Sequence, residues 1–389
     1  RCSEGKAYLP PAVSGPMDFP FSLAEVAEGR ARLLVPDVPR RKGPGAKGPF
    51  PFYNPTMAVN RDLSAIVLAR WPGRPTRVLD GLAATGAWGI RMGLEAGARD
   101  LGFVDTSPEA AALIRANLER NGLTGEVFHG DLRVHLAEHP YDYVDIDPFG
   151  PPTPFLGHAL HAAKTPSGLG ITATDTAPLC GTYPKTCQRR YVARPLRCEQ
   201  GHEIGLRILL GYVGRVAEAH GKVTKPLLSF AAEHFFRLHV LVLDGLQEPP
   251  AELGYYLRDR EGSFHRVDAR EPEAIGPLWM GSLGDPTFVR SLTTSEWTSS
   301  SGARLLDTLQ QEIDLPPFFV TSDEIAKRLR GSPPKLERFL ASLRDAGFRA
   351  ERTHFHPRGV KTDAPHDEIL RAFLATAPSG STGGSGPSN

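Results

Sequence analysis

This sequence is short of several things, and each shortage narrows what it can be. It has no uninterrupted apolar run near the roughly 18–20 residues of a membrane span. Its opening residues also lack a charged-then-apolar leader pattern. Four cysteines in 389 residues exclude a disulfide scaffold. None of them forms a C-x-x-C pair, and Cys180, Cys187 and Cys198 with His202 match no usual metal-ligand spacing. Charge of one sign is missing as well: 45 Lys+Arg against 44 Asp+Glu leave +1. That excludes a uniformly basic nucleic-acid coat but permits a local basic groove, because partners respond to the field of one face. Hydrophobic residues at 40% and charged residues at 23% are globular proportions. The length suits two or three domains, and the expectation is a soluble, cytoplasmic enzyme.

Residues 1–16 carry no periodicity and read as an unstructured extension before Met17. Residues 36–55 are dense in Pro and Gly and hold Arg40, Arg41, Lys42 and Lys47, the composition of a loop or lid. The Gly/Ser-rich end, residues 376–389, reads as a flexible tail. Between these ends, strand and helix signals alternate. Short apolar runs at 77–80, 101–105, 126–129, 141–147 and 169–174 predict strands. Pro108 opens and Gly122 stops the helix between the second and third of them. Such alternation predicts right-handed crossovers and a parallel sheet covered on both faces. A helix from about Glu203 carries Ile204, Ile208, Tyr212 and Val216 on one stripe, and strands at 227–231 and 236–243 are close enough to pair antiparallel. After Asp244 the pattern changes. Thr321-Ser-Asp-Glu324 reads as a capping box, with Ile325 and Leu329 on the buried side of its helix. Leu336, Phe339, Leu340 and Leu343 stripe a second helix, and the strand-like run 348–354 completes a winged-helix pattern. The division expected is a first domain over 17–244 and a smaller α/β C-terminal domain over 245–375.

The turn Asp80-Gly-Leu-Ala-Ala-Thr-Gly86 joins the first of these strands to its helix. Gly81 and Gly86 let the backbone approach a ligand, which in an open parallel sheet sits beyond the carboxyl ends of the strands. Asp105-Thr106 ends the second strand, where a carboxylate can accept both hydroxyls of a ribose. Asp131-Leu132 follows the third, where an acceptor meets an exocyclic amine of adenine. The turn lacks the G-x-G-x-x-G of a dinucleotide cradle. An acidic strand end also repels phosphate, yet it suits the cationic methionine part of S-adenosyl-L-methionine. The strongest chemical signal is Asp145-Ile-Asp147-Pro148-Phe149-Gly150. Asp147 can accept from a weakly nucleophilic base amine and help remove its proton, Pro148 fixes a carbonyl toward the pocket, and Phe149 can stack on the base.

With these residues in hand, the sequence resembles the tRNA (guanine-26-N2)-dimethyltransferase family. The matching segments are Glu28-Gly-Arg-Ala31, Phe52-Tyr-Asn-Pro55-x-Met57-x-x-Asn60-Arg-Asp-Leu63, Asp147-Pro-Phe-Gly150, Thr172-Ala-Thr-Asp175-x-Ala177-Pro-Leu-Cys-Gly181 and Thr353-His-Phe355-x-Pro357-x-Gly359-x-Lys361-Thr362. The resemblance implies a Rossmann-like class I methyltransferase sheet and transfer of two methyls from S-adenosyl-L-methionine to a guanine N2 amine in tRNA. It also implies Arg61 on the cofactor carboxylate, Asp105 on the ribose, Asp131 and Leu132 at the adenine, and Phe52, Tyr53, Asn54 and Pro55 at the pocket opening. Two departures stand out. Trp88 occupies a place where members usually carry arginine, so Arg61 or Arg91 would take over its duty. The four-cysteine zinc site of many members has no counterpart, so no metal is expected.

Lys185 to Lys225 holds nine basic residues, Lys185, Arg189, Arg190, Arg194, Arg197, Arg207, Arg215, Lys222 and Lys225, which read as a phosphate track. Lys327, Arg328, Arg330, Lys335 and Arg338 suggest that the second domain grips tRNA. His354 and His356 are further candidates for RNA contact. The rival readings are a methyltransferase of another exocyclic amine, such as adenine N6, and a noncatalytic RNA-binding protein on the same fold.

Overall fold

The computed structural model describes residues 19–38, 48–246, 251–269 and 271–378. The expected extension at 1–16, the lid residues Arg40, Arg41, Lys42 and Lys47, and the tail beyond 378 lie outside the described residues. The chain opens with an antiparallel hairpin, β1 (Leu23–Glu28) and β2 (Ala31–Pro36), and then helix α1 (Ala58–Ala69). Strands β3 (Arg77–Asp80), β4 (Asp100–Asp105), β5 (Glu126–His129), β6 (Tyr143–Ile146) and β7 (Ser167–Ala173) follow. They are joined by α2 (Ala87–Arg91), α3 (Pro108–Arg120), α4 (Leu132–Glu138) and α5 (Thr153–Ala162). Then come α6 (Thr176–Leu179), α7 (Pro184–Tyr191), α8 (Gly201–Ala219), β8 (Lys222–Ala232) and β9 (Phe235–Asp244).

Seven of these strands form one sheet in the order β5-β4-β3-β6-β7-β9-β8. The five that alternate with helices are parallel, as the crossovers require. β9 pairs antiparallel with both β7 and β8. The order jumps between β3 and β6, which opens a crevice at their carboxyl ends. Side chains alternate across the sheet. Val78, Phe103 and Tyr143 join one buried layer with α1, α2 and α3, while Leu79, Val104 and Val144 join the other with α4, α5 and α8. This is the α/β sheet expected from the sequence.

The later elements are β10 (Leu253–Arg258), β11 (Phe264–Val267), β12 (Ile275–Trp279), α9 (Pro286–Ser291) and α10 (Ser300–Glu312). Then follow β13 (Val320–Thr321), α11 (Ser322–Leu329), α12 (Leu336–Asp345), β14 (Ala350–Arg352), β15 (Gly359–Thr362) and α13 (His366–Thr376). Thr321 caps α11 by accepting from the Glu324 amide, as its capping box predicts. Ile325, Phe339, Leu340, Leu343, Val360 and Phe373 close a separate small core under the sheet β13-β15-β14. Val289, Leu306 and Leu309 of α9 and α10 instead share a core with α1. Among the described residues no helix is long and apolar enough to cross a membrane.

Three expectations are corrected. The stripe assigned to α8 was too narrow: Leu206, Leu209, Leu210 and Val213 are buried too, because the helix packs against both β8 and β12. Leu329 is exposed, since α11 turns into a left-handed Arg330 before its last turn can pack. Thr376 still belongs to α13, so the tail does not begin there.

Candidate active site

The crevice between β3 and β6 holds a cavity of ≈ 130 Å³, open to solvent at its mouth. Phe52, Tyr53, Asn54, Arg61, Asp80, Asp147, Pro148 and Phe149 line it, so residues from four separate stretches of sequence meet there. Each is positioned by local chemistry. Pro55 starts a single turn of 3-10 helix, and the Asn54 side chain caps it by accepting from the Thr56 amide at 3.0 Å. After β6 the chain turns through Gly150, at φ +89°, whose amide donates to Thr174 Oγ1 at 2.7 Å. That pin leaves Phe149 47% exposed at the mouth, 4.9 Å from the Phe52 ring in an edge-to-face pair. Gly81 donates its amide to the Asp145 carbonyl at 3.0 Å, and a Cβ there would lie 2.5 Å from that oxygen. Only glycine lets the turn after β3 sit this close to β6.

Gly81, Gly86, Asp105, Thr106, Asp131, Leu132 and Pro55 are not among the lining residues. For Asp105, Thr106, Asp131 and Leu132 the reason is the strand order: β4 and β5 lie outward from β3, so their carboxyl ends flank the crevice. Asp105 accepts from the amides of Ala84 and Ser107 at 2.8 and 2.9 Å. The Arg133 side chain bonded to Asp131 holds that carboxyl down at about 2, so it is ionised.

Below the cavity lies a dry network that the sequence reading did not assign. Arg237 of β9 is fully buried and ion-paired with Asp145. It also donates to Thr172 Oγ1 at 2.9 Å and Ser64 Oγ at 3.1 Å. Gly170 leaves the space this pair occupies. Burial pushes the Asp145 carboxyl up to about 6 despite Arg237. Burial likewise raises Asp147, opposed by the charges of Arg237 and Arg61 and by a hydrogen bond from Thr172. Asp80 rises well above the ordinary carboxylate range through burial and the neighbouring Asp145.

A second ionic cluster closes the side of the cavity. Glu28, at the end of β1, receives Arg61 Nε at 2.5 Å and Nη2 at 2.6 Å, Tyr53 Oη at 2.7 Å and Arg91 Nη1 at 3.1 Å. Although burial works the other way, these donors hold its carboxyl below the usual value. Arg91 also reaches Asp62 and Glu95, both at 2.7 Å. It is fully buried and does not line the cavity, so it is a structural cation and does not replace the arginine whose place Trp88 takes. Trp88 itself lines the cavity and stacks on Tyr143 at 5.9 Å.

Further lining residues went unassigned from sequence, among them Asp145, Thr174, Glu233, His234 and Phe235. The turn between β8 and β9 and the first residue of β9 supply the last three, and nothing in their spacing signals it. Arg237 and His239 did leave a signal: polar residues inside an otherwise apolar strand. The basic stretch 185–225 is mostly committed internally. Arg207 binds Glu203 and two carbonyls, Lys222 binds the carbonyls of Leu160, His161 and Ala163, and Arg190 pairs with Asp175. His354 is likewise internal, paired with Glu312 and accepting from the Ala231 amide. Burial pushes the thiols of Cys180 and Cys187 up to about 12 and that of Cys198 to about 11. Among the described residues no group of three His, Cys, Asp or Glu could hold a metal ion.

Removing Arg91 takes a cationic partner from three buried carboxylates, Glu28, Asp62 and Glu95. An Arg91→Met variant is expected to lose about 3–5 kcal/mol in urea unfolding, and a loss under about 1 kcal/mol would show that water replaces the guanidinium.

A family model described as N2,N2-dimethylguanosine tRNA methyltransferase matches residues 29–255 and 259–373. A relative from Pyrococcus horikoshii named tRNA (guanine(26)-N(2))-dimethyltransferase is 39% identical over 384 residues, covering 91% of this chain and 98% of its own. One of the same name from Methanosphaerula palustris is 38% identical over 379 residues, covering 91% and 100%. The solved structure of Trm1 from Pyrococcus horikoshii with S-adenosyl-L-methionine aligns at a TM-score of 0.81 and 36% identity, over 90% of this chain and 99% of that one. With one family model spanning both halves and the cavity at the switch point of its sheet, this chain belongs to the N2,N2-dimethylguanosine tRNA methyltransferase family.

Proposed function

We propose that this protein dimethylates the N2 amine of guanine-26 in tRNA, using S-adenosyl-L-methionine. The observation that carries the reading is the meeting of Asp147, Pro148 and Phe149 with Asp80 and the turn after β3 in one cavity. The residues suit that cofactor. Ala83, Ala84 and Thr85 present backbone and small side chains to the cavity, and Asp80 offers an acidic group to a cationic ligand. Arg61 would hold its carboxylate, Asp105 and Thr106 its ribose, and Asp131 and Leu132 its adenine, with Gly81 and Gly86 allowing the close approach. When bound, it supplies an electrophilic methyl on a sulfonium.

The chain's own residues do the rest. Phe52 and Phe149 flank the base at the mouth, beside Tyr53, Asn54 and Pro55. Asp147 accepts a hydrogen bond from the amine and takes up a proton from it as the new N–C bond forms. Pro148 stiffens the loop so that a carbonyl can take the amine's other hydrogen. Most of the rate then comes from orientation, since the reacting groups are held rather than activated by a strong base. Farther away, Lys327, Arg330, Lys335 and Arg338 are exposed and have no ion pair among the described residues. They lie on or between α11 and α12 and would hold tRNA phosphates, in a C-terminal unit spanning 245–375.

Asp147→Ala is expected to abolish turnover while cofactor binding by calorimetry stays nearly intact; equal loss of both would reassign the residue. Mass spectrometry of ribonuclease fragments from treated tRNA should find dimethylguanosine at position 26. Because Arg237 favours the ionised form of Asp147, Arg237→Met is expected to move the acidic limb of the kcat/KM profile to higher pH. An unmoved limb in a folded variant would remove Arg237 from that role. The triple variant Lys327→Glu, Arg330→Glu, Arg338→Glu is expected to lower the salt slope of tRNA binding by about three, with unchanged cofactor affinity.

A further inference from the structure

Four carboxylates line the cavity, and three have duties fixed by their surroundings. Asp80 is deeply buried, and its Oδ2 accepts the Gly89 amide at 3.0 Å. Asp145 is held by Arg237. Asp147 stands beside the aromatic pair, where the reacting amine belongs.

The fourth, Glu233, differs in every respect. It is exposed at the tip of the turn between β8 and β9, and it makes no hydrogen bond or ion pair among the described residues. Its φ is +47°, in the left-handed region that costs a non-glycine residue conformational energy. The two-residue turn that joins β8 to β9 demands this conformation at its first position, which fixes where the Glu233 side chain leaves the backbone. Two residues on, Phe235 is buried against the Phe230 ring, which anchors the turn at the cavity wall.

We propose that Glu233 selects guanine among amine-bearing purines by accepting a hydrogen bond from the ring N1–H. The inference rests on the reading of this cavity as the site of the N2 amine. Guanine carries N1–H next to that amine on one edge. 2-Aminopurine carries the same amine beside a bare N1 lone pair. An ionised carboxylate only accepts, so it rewards the first edge and repels the second. In this assignment Asp147 takes the amine and Glu233 the ring N1–H, both residues lining the one cavity. Glu233 is the lining carboxylate with no competing partner. It therefore turns a pocket for any 2-amino base into one for guanine.

The test uses the full-length protein and tRNA carrying either guanine or 2-aminopurine at the target position, read by single-turnover methyl transfer. Wild type is expected to prefer guanine by on the order of 100-fold. Glu233→Gly suits the left-handed backbone and so keeps the turn. It is expected to lose roughly 10- to 100-fold on guanine while changing less than about two-fold on 2-aminopurine. Glu233→Gln keeps an oxygen acceptor and should recover part of the preference. Equal proportional losses on both bases, or an unchanged ratio, would overturn the proposal. Wild-type transfer to neither base would instead overturn the reading of the cavity on which it rests.

Discussion

One guanidinium sits fully buried, and the cavity end of the sheet is arranged around it. Arg237 stands on β9, yet besides His239 of its own strand its partners lie on β6, β7 and α1. A buried cation is tolerable only when its charge and its donors are matched, and losing one partner leaves the others uncompensated. The pair with Asp145 therefore ties the antiparallel end of the sheet to the strand that carries Asp147. Gly170, on the strand between them, supplies the room. This is a positional device more than a stabilising one, since a buried ion pair returns little net energy over an apolar substitute.

The second ionic cluster does for the cavity wall what Arg237 does for its floor. Glu28 gathers Tyr53, Arg61 and Arg91, so the opening hairpin, the Phe52–Pro55 segment, α1 and α2 converge on one carboxylate. Arg61 is thus shared between a structural partner and the cavity it lines. The Phe52 ring reaches Phe149 because the segment carrying it is fastened at its neighbour.

Much of this was legible in the chain. The strand ends at Asp80 and Asp105 declared themselves because parallel strands are buried on both faces and read as compact apolar runs. Asp147, Pro148 and Phe149 stood out because their chemistry is confined to adjacent residues. The opening hairpin was not legible, since its alternation is weak and β2 packs on α3, bonded to Asn117 and Asn121, rather than on the main sheet. Glu233 and Arg237 reach the cavity only through the pairing of β8 with β9 beside β7, a relation no local spacing encodes. The basic stretch was legible only in part for a related reason, with Lys185, Arg189 and Arg197 exposed and others committed inside. A count of charges cannot tell a solvent-facing lysine from Lys222, which is folded onto three carbonyls.

The contact between Asp62 and the Ser299 amide, 237 residues apart at 3.0 Å, ties the first third of the chain to its last. Asp62 is also a partner of Arg91, so the ionic cluster beside the cavity is complete only when α10 has docked on α1. A nascent chain leaving the ribosome can form the seven-stranded sheet well before that, with Asp62 still facing water. A product that stops before Ser299 and α10 would hold every residue that lines the cavity, yet leave Asp62 without the Ser299 amide that completes the ionic cluster beside it.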